Sequence, residues 1–353
     1  MSSPGIVVGH QELARFISDA LEASGASAAD AAEVADGLMW ANLRGVDGHG
    51  VSRLPSYLAM IKRGDVDLKA QPRLVRDSAA TFELDSGGGF GPVAMMKALA
   101  IALERRQKNG NCFGLVRDTT HTGAIGRYAQ WLAERGCIGL IMVAGPAFVA
   151  YHGARVASMG TSPIAIAVPT SRGPIVLDMA TSTISNGTIL QARATGKALP
   201  PGTVLTGAGV PTTDPQQAEI LLPLGGAKGS GLALMFEMVA SVLAAAPIQA
   251  PALGAQKLRR LRQNCAILAI DIEAFRPLGE FVDDADALAA ILKTLPRQEG
   301  FDEILLPGER SARTEAQRRK SGIPIPRKLW AELGAIAATH AIKLPAIVSS
   351  PPT

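Results

Sequence analysis

The chain has 353 residues, more than one small core needs, which implies two subdomains or one large one with an appendage. Apolar residues make up 47% and aromatics 4%, so the core is mostly Ala, Leu, Ile and Val, and disorder over most of the length is excluded. With 35 basic and 31 acidic residues the net charge is +4, too even a balance for nucleic acid as the main partner, although the pI is about 9.0.

The first predicted helix spans 11–24, with Leu13, Phe16, Ile17, Ala20 and Leu21 at helical spacing and Gly25 behind it. Ser27, with Asp30 three residues on, caps a second helix to about Leu43. A third runs over 53–62 and stops at Gly64. Strands are expected at 74–76 and 80–84, then a glycine loop and a helix to about Lys108. Strands over 111–117 and 138–144 flank a helix over 124–135. Further strands fall at 164–168, 175–177 and 266–270, and helices at 183–194, 229–245 and 284–295. Segments 200–215 and 247–254 read as loops. Helices over 311–320 and 327–340 precede a loose Pro-rich tail. Helices at both ends around a strand-rich middle suggest that the termini pack as one layer. The expected domains are therefore 1–70 with 311–353, helical, and 71–310, built on a sheet.

The first ten residues lack the basic start and apolar run of a signal peptide. Segment 238–256 is uncharged, but Pro247, Pro251 and two glutamines argue against a membrane span. Cys112, Cys137 and Cys265 are odd in number and show neither metal spacing nor a disulfide framework, which points to a reducing, cytoplasmic setting.

Few motifs carry chemistry. In segment 44–57, His49 sits between Gly48 and Gly50, which leave room for a small molecule at the imidazole. Histidine suits proton transfer near neutral pH. Arg53 follows four residues later, so a helix starting near His49 puts both side chains on one face. A guanidinium binds a carboxylate through two parallel hydrogen bonds. The pair reads as a proton donor beside a carboxylate clamp, although a capped or solvated histidine fits the same residues. None of the five histidines has the spacing of a zinc site, and no metal is expected. A serine-hydrolase elbow is absent. The loop Gly87-Gly88-Gly89-Phe90-Gly91-Pro92 fails the dinucleotide fingerprint, which needs glycine where Pro92 stands. Lys228, in the glycine-rich run 224–231, suits a phosphate or ribose contact, and a solvated turn lysine equally well.

Read in order, Arg44-Gly-Val-Asp-Gly-His-Gly-Val-Ser-Arg-Leu-Pro55, His121-Thr-Gly-Ala124, Gly160-Thr-Ser-Pro-Ile-Ala165, Leu177-Asp-Met-Ala-Thr-Ser182, Leu222-Pro-Leu-Gly-Gly-Ala-Lys-Gly229 and Leu306-Pro-Gly-Glu309 resemble the signatures of the type 2 malate/L-lactate dehydrogenases. That family also holds ureidoglycolate, sulfolactate and diketogulonate oxidoreductases and the cyclic imino acid (piperideine- and pyrroline-2-carboxylate) reductases. The resemblance covers nearly the whole chain. It implies an α/β (α+β) fold without a Rossmann unit: a large, mainly antiparallel sheet that binds NAD or NADP, and a helical layer from both termini. It further implies a homodimer, with the active site in the cleft between domains. His49 would be the proton donor or acceptor, with His121 second in rank, and Arg53 would hold the substrate carboxylate. Thr161 would lie near the substrate. His121, Thr122, Gly123, Ala124, Asp178, Met179, Ala180, Lys228, Gly229, Leu306, Pro307, Gly308 and Glu309 would border the cofactor. His152, after Tyr151, stands where many members are apolar; it lines the substrate pocket or takes a plain surface role.

Two departures bear on the reaction. The imino acid reductases have serine where this chain has Gly48, and a working aspartate where it has Thr188. The expected activity is therefore hydride transfer between nicotinamide and a small 2-oxo or 2-hydroxy acid. The alternatives are a cyclic imino acid reductase and, from another class, a non-catalytic nucleotide-binding or sensory protein. Without a supporting carboxylate, and partly buried, His49 is expected to titrate at or below about 6.5.

Overall fold

A computed structural model describes residues 6–248 and 262–348. It divides into two compact units, Met1–Ala70 with Leu305–Thr353, and Gln71–Ile304. The second unit ends ahead of the residue-310 boundary drawn from sequence, so Leu306 to Glu309 belong to the helical unit. Most of the expected 247–254 loop and the last residues of the tail lie outside the described residues.

The helical unit opens with β1 (Ile6–Val8), α1 (His10–Ala23) and α2 (Ala28–Leu43). The apolar stripe of α1 is buried at all five expected positions. Ser27 caps α2, its Oγ accepting the Asp30 N–H at 3.1 Å. Two 3₁₀ turns, Asp47–His49 and Val51–Arg53, lead into α3 (Leu54–Lys62).

In the sheet unit come β2 (Arg73–Asp77), β3 (Thr81–Asp85), α4 (Gly91–Asn109), β4 (Asn111–Thr119), α5 (Gly126–Ala133) and β5 (Cys137–Ala144). Two short strands follow, β6 (Val149–Ala150) and β7 (Ala157–Met159), then β8 (Ile164–Val168) and β9 (Ile175–Met179). Next are α6 (Asn186–Thr195), β10 (Val204–Leu205), β11 (Pro211–Thr212), β12 (Ile220–Leu221) and α7 (Ala227–Glu237). The unit closes with β13 (Gln263–Asp271) and α8 (Leu278–Thr294). The seven-stranded sheet runs β2-β3-β4-β13-β5-β8-β9. Neighbours are antiparallel at every step except β3–β4. A five-stranded sheet, β11-β10-β12-β6-β7, stands beside it in the topology.

Helices cover both faces of the large sheet. Met95 and Leu99 of α4 and Tyr128 and Leu132 of α5 share a core with Val116, Ile141 and Ile267. On the other face Ala240 and Ala244 pack on Leu115, Ala144 and Ala266. The chain then returns to the helical unit as α9 (Glu309–Ser321), β14 (Ile323–Ile325) and α10 (Arg327–His340). β14 pairs antiparallel with β1, so the two ends of the chain build one unit.

Some expected elements change. The 200–215 loop contains β10 and β11, which pair as a hairpin. The helix expected over 183–194 starts later, because the Ser185 Oγ accepts the Thr188 N–H at 3.1 Å and sets the first turn at Asn186. The helix expected over 229–245 turns into a π-helical stretch at Met238–Val242. The one expected over 284–295 starts earlier, at Leu278, just after Pro277.

Gly139 on β5 lets α5 approach closely. A Cβ there would lie 2.7 Å from the Ala129 carbonyl oxygen and 2.9 Å from Leu132 Cβ. Gly139→Ala is expected to destabilise the fold by about 1–3 kcal/mol through overpacking. Urea unfolding checks this: the midpoint should fall with the slope unchanged, and an unmoved midpoint would mean that α5 yields freely.

Candidate active site

A helix starting near His49 would put His49 and Arg53 on one face; no such helix forms. Gly50, at φ −91° and ψ −150°, is extended and separates the two 3₁₀ turns. The cause is Asn42, buried in the last turn of α2. Its Nδ2 donates to Asp47 Oδ1 at 2.7 Å, and its Oδ1 accepts the Val51 N–H at 2.7 Å. A Cβ at position 50 would lie 2.3 Å from that amide, so only glycine passes it. His49 and Arg53 are coupled by another route. Arg53 Nε donates to the Gly48 carbonyl at 2.6 Å. Among the described residues the terminal nitrogens of Arg53 make no hydrogen bond, which leaves a fork suited to a carboxylate.

His49 is half-buried. Burial, and after it the Arg53 charge, lower its pKa from 6.5 to about 4. The direction matches the sequence expectation, but the second cause is a cation rather than a missing carboxylate. Asp47 is bound elsewhere: Arg318 on α9 grips both its oxygens, at 2.6 and 3.0 Å. Tyr57 on α3 is buried, and burial raises its hydroxyl pKa against the pull of Arg53.

The loop Leu306 to Glu309 lies in this same unit. Gly308 takes a left-handed φ of 80° ahead of α9, and Glu309 Oε2 accepts the Leu306 N–H at 3.1 Å. Arg44 is buried, pairs with Glu315 at 3.2 Å and donates to the Gly308 carbonyl at 3.4 Å.

The remaining predicted residues belong to the sheet unit. Segment 121–124 leaves the end of β4 with Thr122 anchored twice on Gln263 Oε1, by its N–H at 2.8 Å and its hydroxyl at 3.0 Å. Tyr128 Oη donates to the Thr122 carbonyl at 2.5 Å. Gly123 has φ 79° and open space where a Cβ would be. Asp178, on β9 with Met179, accepts the Gly126 N–H at 2.8 Å at the start of α5. Ala180 leads on to Thr181, whose N–H and hydroxyl both donate to the Thr161 carbonyl at 2.9 Å. The Thr181 carbonyl accepts the Leu224 N–H at 2.8 Å. A Cβ on Gly229 would lie 2.5 Å from the Leu224 carbonyl, so the 222–229 turn closes on glycine. His152 joins this group. Its N–H donates to the buried Ser230 hydroxyl at 2.8 Å, and its ring packs 3.1 Å from where a Gly226 Cβ would be. The unit therefore brings Thr161, Thr181, the Lys228 turn and His152 together. Thr188 sits instead in the first turn of α6, its hydroxyl 3.1 Å from Ser185 Oγ.

The glycine loop 87–92 is no phosphate cradle. Its N–H groups are spent on Asp85 Oδ1 at 2.9 Å, the Asp118 carbonyl at 2.8 Å, the Ser86 carbonyl at 3.2 Å and Thr120 Oγ1 at 3.1 Å, from Gly87, Gly88, Gly89 and Gly91 respectively. The Lys228 turn also spends the N–H groups of Gly226, Lys228 and Gly229 on its own carbonyls, but unlike the 87–92 loop it offers a cation to an anionic cofactor. Gly225 and Gly226 have positive φ, Lys228 is exposed, and α7 begins there with its positive dipole end.

Asn42, Gln263 and Arg318 have no place in the sequence expectation, and Thr181 stands there only inside the 177–182 motif, without a role. An asparagine inside a predicted helix is a faint signal, since it competes with the backbone for hydrogen bonds. Arg318 reads only as part of the basic end of a helix.

The chain matches the malate/L-lactate dehydrogenase family over residues 8–334. It is 34% identical over 344 residues to a malate dehydrogenase of Pyrococcus abyssi, covering 94% of each chain. It is 34% identical over 322 residues to an L-sulfolactate dehydrogenase of Methanocaldococcus jannaschii, covering 90% of this chain and 93% of that one. The crystal structure of a malate dehydrogenase from Entamoeba histolytica superposes with a TM-score of 0.91 at 28% identity, over 96% of this chain and 99% of that one. The chain belongs to the malate/L-lactate dehydrogenase family. It is an NAD(P)-dependent oxidoreductase of small hydroxy and oxo acids.

The low pKa of His49 has a consequence for stability. Between about pH 4 and 6.5 the unfolded chain binds a proton at this ring that the folded chain does not. The contribution is fully present above 6.5 and is lost as pH falls towards 4. Urea titrations at pH 7 and pH 4.5 should show wild type losing more stability than His49→Ala. Equal losses would place the acid sensitivity elsewhere.

Proposed function

We propose that the enzyme interconverts a small 2-oxo acid and its 2-hydroxy acid, with Arg53 holding the carboxylate and His49 moving the proton. The observation that carries this is the pairing of a half-buried, neutral imidazole with an open guanidinium fork, locked together through the Gly48 carbonyl. The fork holds the carboxylate and so orients the adjacent carbon. In oxidation, neutral His49 takes the hydroxyl proton; in reduction, its protonated form delivers one to the carbonyl oxygen. At neutral pH the ring is already in its basic form, which favours oxidation. NAD(P), when held there, would supply or accept the hydride. Thr161 and His152 are assigned to the substrate. His121, Thr122, Gly123, Ala124, Asp178, Met179, Ala180, Lys228, Gly229 and the loop Leu306 to Glu309 are assigned to the cofactor. His121 is the second candidate for proton transfer.

We infer that the dinucleotide binds without a Rossmann unit. A sheet with a single parallel step and a glycine loop whose N–H groups are spent both support this. A homodimer is supported by α8, where Leu288 and Ile291 are each 59% exposed. Three buried free thiols and the lack, among the described residues, of a helix long and apolar enough to cross a membrane accord with the cytoplasmic assignment. Against imine reduction stand Gly48, Asp47 held by Arg318, and Thr188 engaged with Ser185.

Two measurements test the assignment. Arg53→Lys keeps the charge and loses the fork, so kcat/KM for 2-oxo acids should fall by about 2–4 kcal/mol in transition-state terms with cofactor affinity unchanged. An unaltered kcat/KM would remove Arg53 from the site. Reductive kcat/KM in wild type should decline about tenfold per pH unit above about 4, and His49→Ala should lack that limb. A limb that survives in His49→Ala would transfer the proton step to His121.

A further inference from the structure

The turn that carries His49 is three residues long and is cut off by extended Gly50 from the second turn, which runs on into α3. The first turn draws support from the far end of the sequence. Arg318, on the last turn of α9, donates Nη1 to Asp47 Oδ1 at 2.6 Å and Nη2 to Asp47 Oδ2 at 3.0 Å. Nη1 also reaches the Asn42 carbonyl. The Arg318 side chain is 14% exposed, so this fork is largely withdrawn from water. Asp47 Oδ1 in turn takes the Asn42 amide, whose oxygen holds Val51. One continuous chain of hydrogen bonds thus runs from α9 to both sides of His49, at Asp47 before it and Val51 after it.

We propose that Arg318 is a positioning residue for the dehydrogenase reaction, acting through Asp47 and Asn42 to hold the His49 and Arg53 turns in register. The proposal rests on the reading of His49 as the proton-transfer residue. Arg318 has two effects. A bidentate fork fixes the plane of the Asp47 carboxylate, and with it the first turn. It also keeps that carboxylate neutralised two residues from the imidazole. The other charges of this segment are Arg53 on the second turn and the Arg44–Glu315 pair between the end of α2 and α9. Neither is paired with Asp47: Arg53 donates through Nε to the Gly48 carbonyl and keeps its fork for the substrate carboxylate, and Arg44 pairs with Glu315. Without Arg318 the Asp47 carboxylate is unpaired beside His49 and the turn admits water; both changes favour the charged imidazole.

The test uses the intact enzyme, with NADH or NADPH and 2-oxo acids as probes, in four variants: Arg318→Ala, Arg318→Lys, Asp47→Asn and His49→Ala. Arg318→Ala is expected to lower kcat about 10- to 100-fold, through misplacement of the reacting groups. Cofactor affinity should be unchanged, and the limb of the reductive kcat/KM profile should move to higher pH. Arg318→Lys should recover part of kcat. Asp47→Asn should lower kcat as Arg318→Ala does; its side chain is 49% exposed, so it decides the matter if Arg318→Ala does not fold. Wild-type kcat in folded Arg318→Ala or in Asp47→Asn overturns the proposal. So does a loss of kcat in Arg318→Ala with the limb unmoved, or with cofactor binding lost in parallel, since either marks general structural support. Full activity in His49→Ala would overturn the underlying reading of His49 instead, whatever the Arg318 variants do.

Discussion

The geometry of the helical unit's site depends on one buried carboxamide. Asn42 closes α2 with its side chain turned to the following segment rather than to solvent, and both ends of the amide are used. A buried amide that left either end unmet would cost free energy, so the chain around it must supply a donor and an acceptor in fixed places. Asp47 and Val51 do so. The segment between them has no room for a side chain at residue 50, and the helix that would otherwise run from His49 into α3 is broken there. The break lets Arg53 reach back to the Gly48 carbonyl. Shape, in this segment, comes before charge.

The same packing sets the chemistry. Burial withdraws water from the imidazole and Arg53 adds a like charge, so both oppose protonation. A histidine so placed is a ready base and a reluctant acid. The sheet unit solves a different problem, holding several loops close together. It uses hydroxyls and glycines: Thr181 ties Thr161 to Leu224, Thr122 ties the 121–124 segment to Gln263, and Gly91 and Gly229 let backbone approach backbone. Lys228 is then presented at the start of α7 without any ion pair among the described residues.

What was legible in the sequence was local. The α1 stripe, the Ser27 cap and the bounds of α10 follow from spacing and capping chemistry. The long strands β4, β5 and β13 follow from their apolar runs. Strands of two or three residues, such as β6, β10 and β12, are too short to show a period and owe their form to partners far along the chain. The candidate site is expected from residue types and, through family resemblance, as a list of positions. Its geometry is not. The Gly50 break is dictated by a side chain eight residues earlier, and the Asp47 carboxylate is held by an arginine 271 residues later. Neither relation has a local signature.

Packing keeps His49 neutral well below the usual histidine range. The most direct measurement is an NMR titration of the histidine ring carbons in isotopically labelled protein, with the His49 resonance assigned by its absence in His49→Ala. The midpoint for that ring is expected near 4. A midpoint near 6.5, the value of an unburied imidazole, would contradict it.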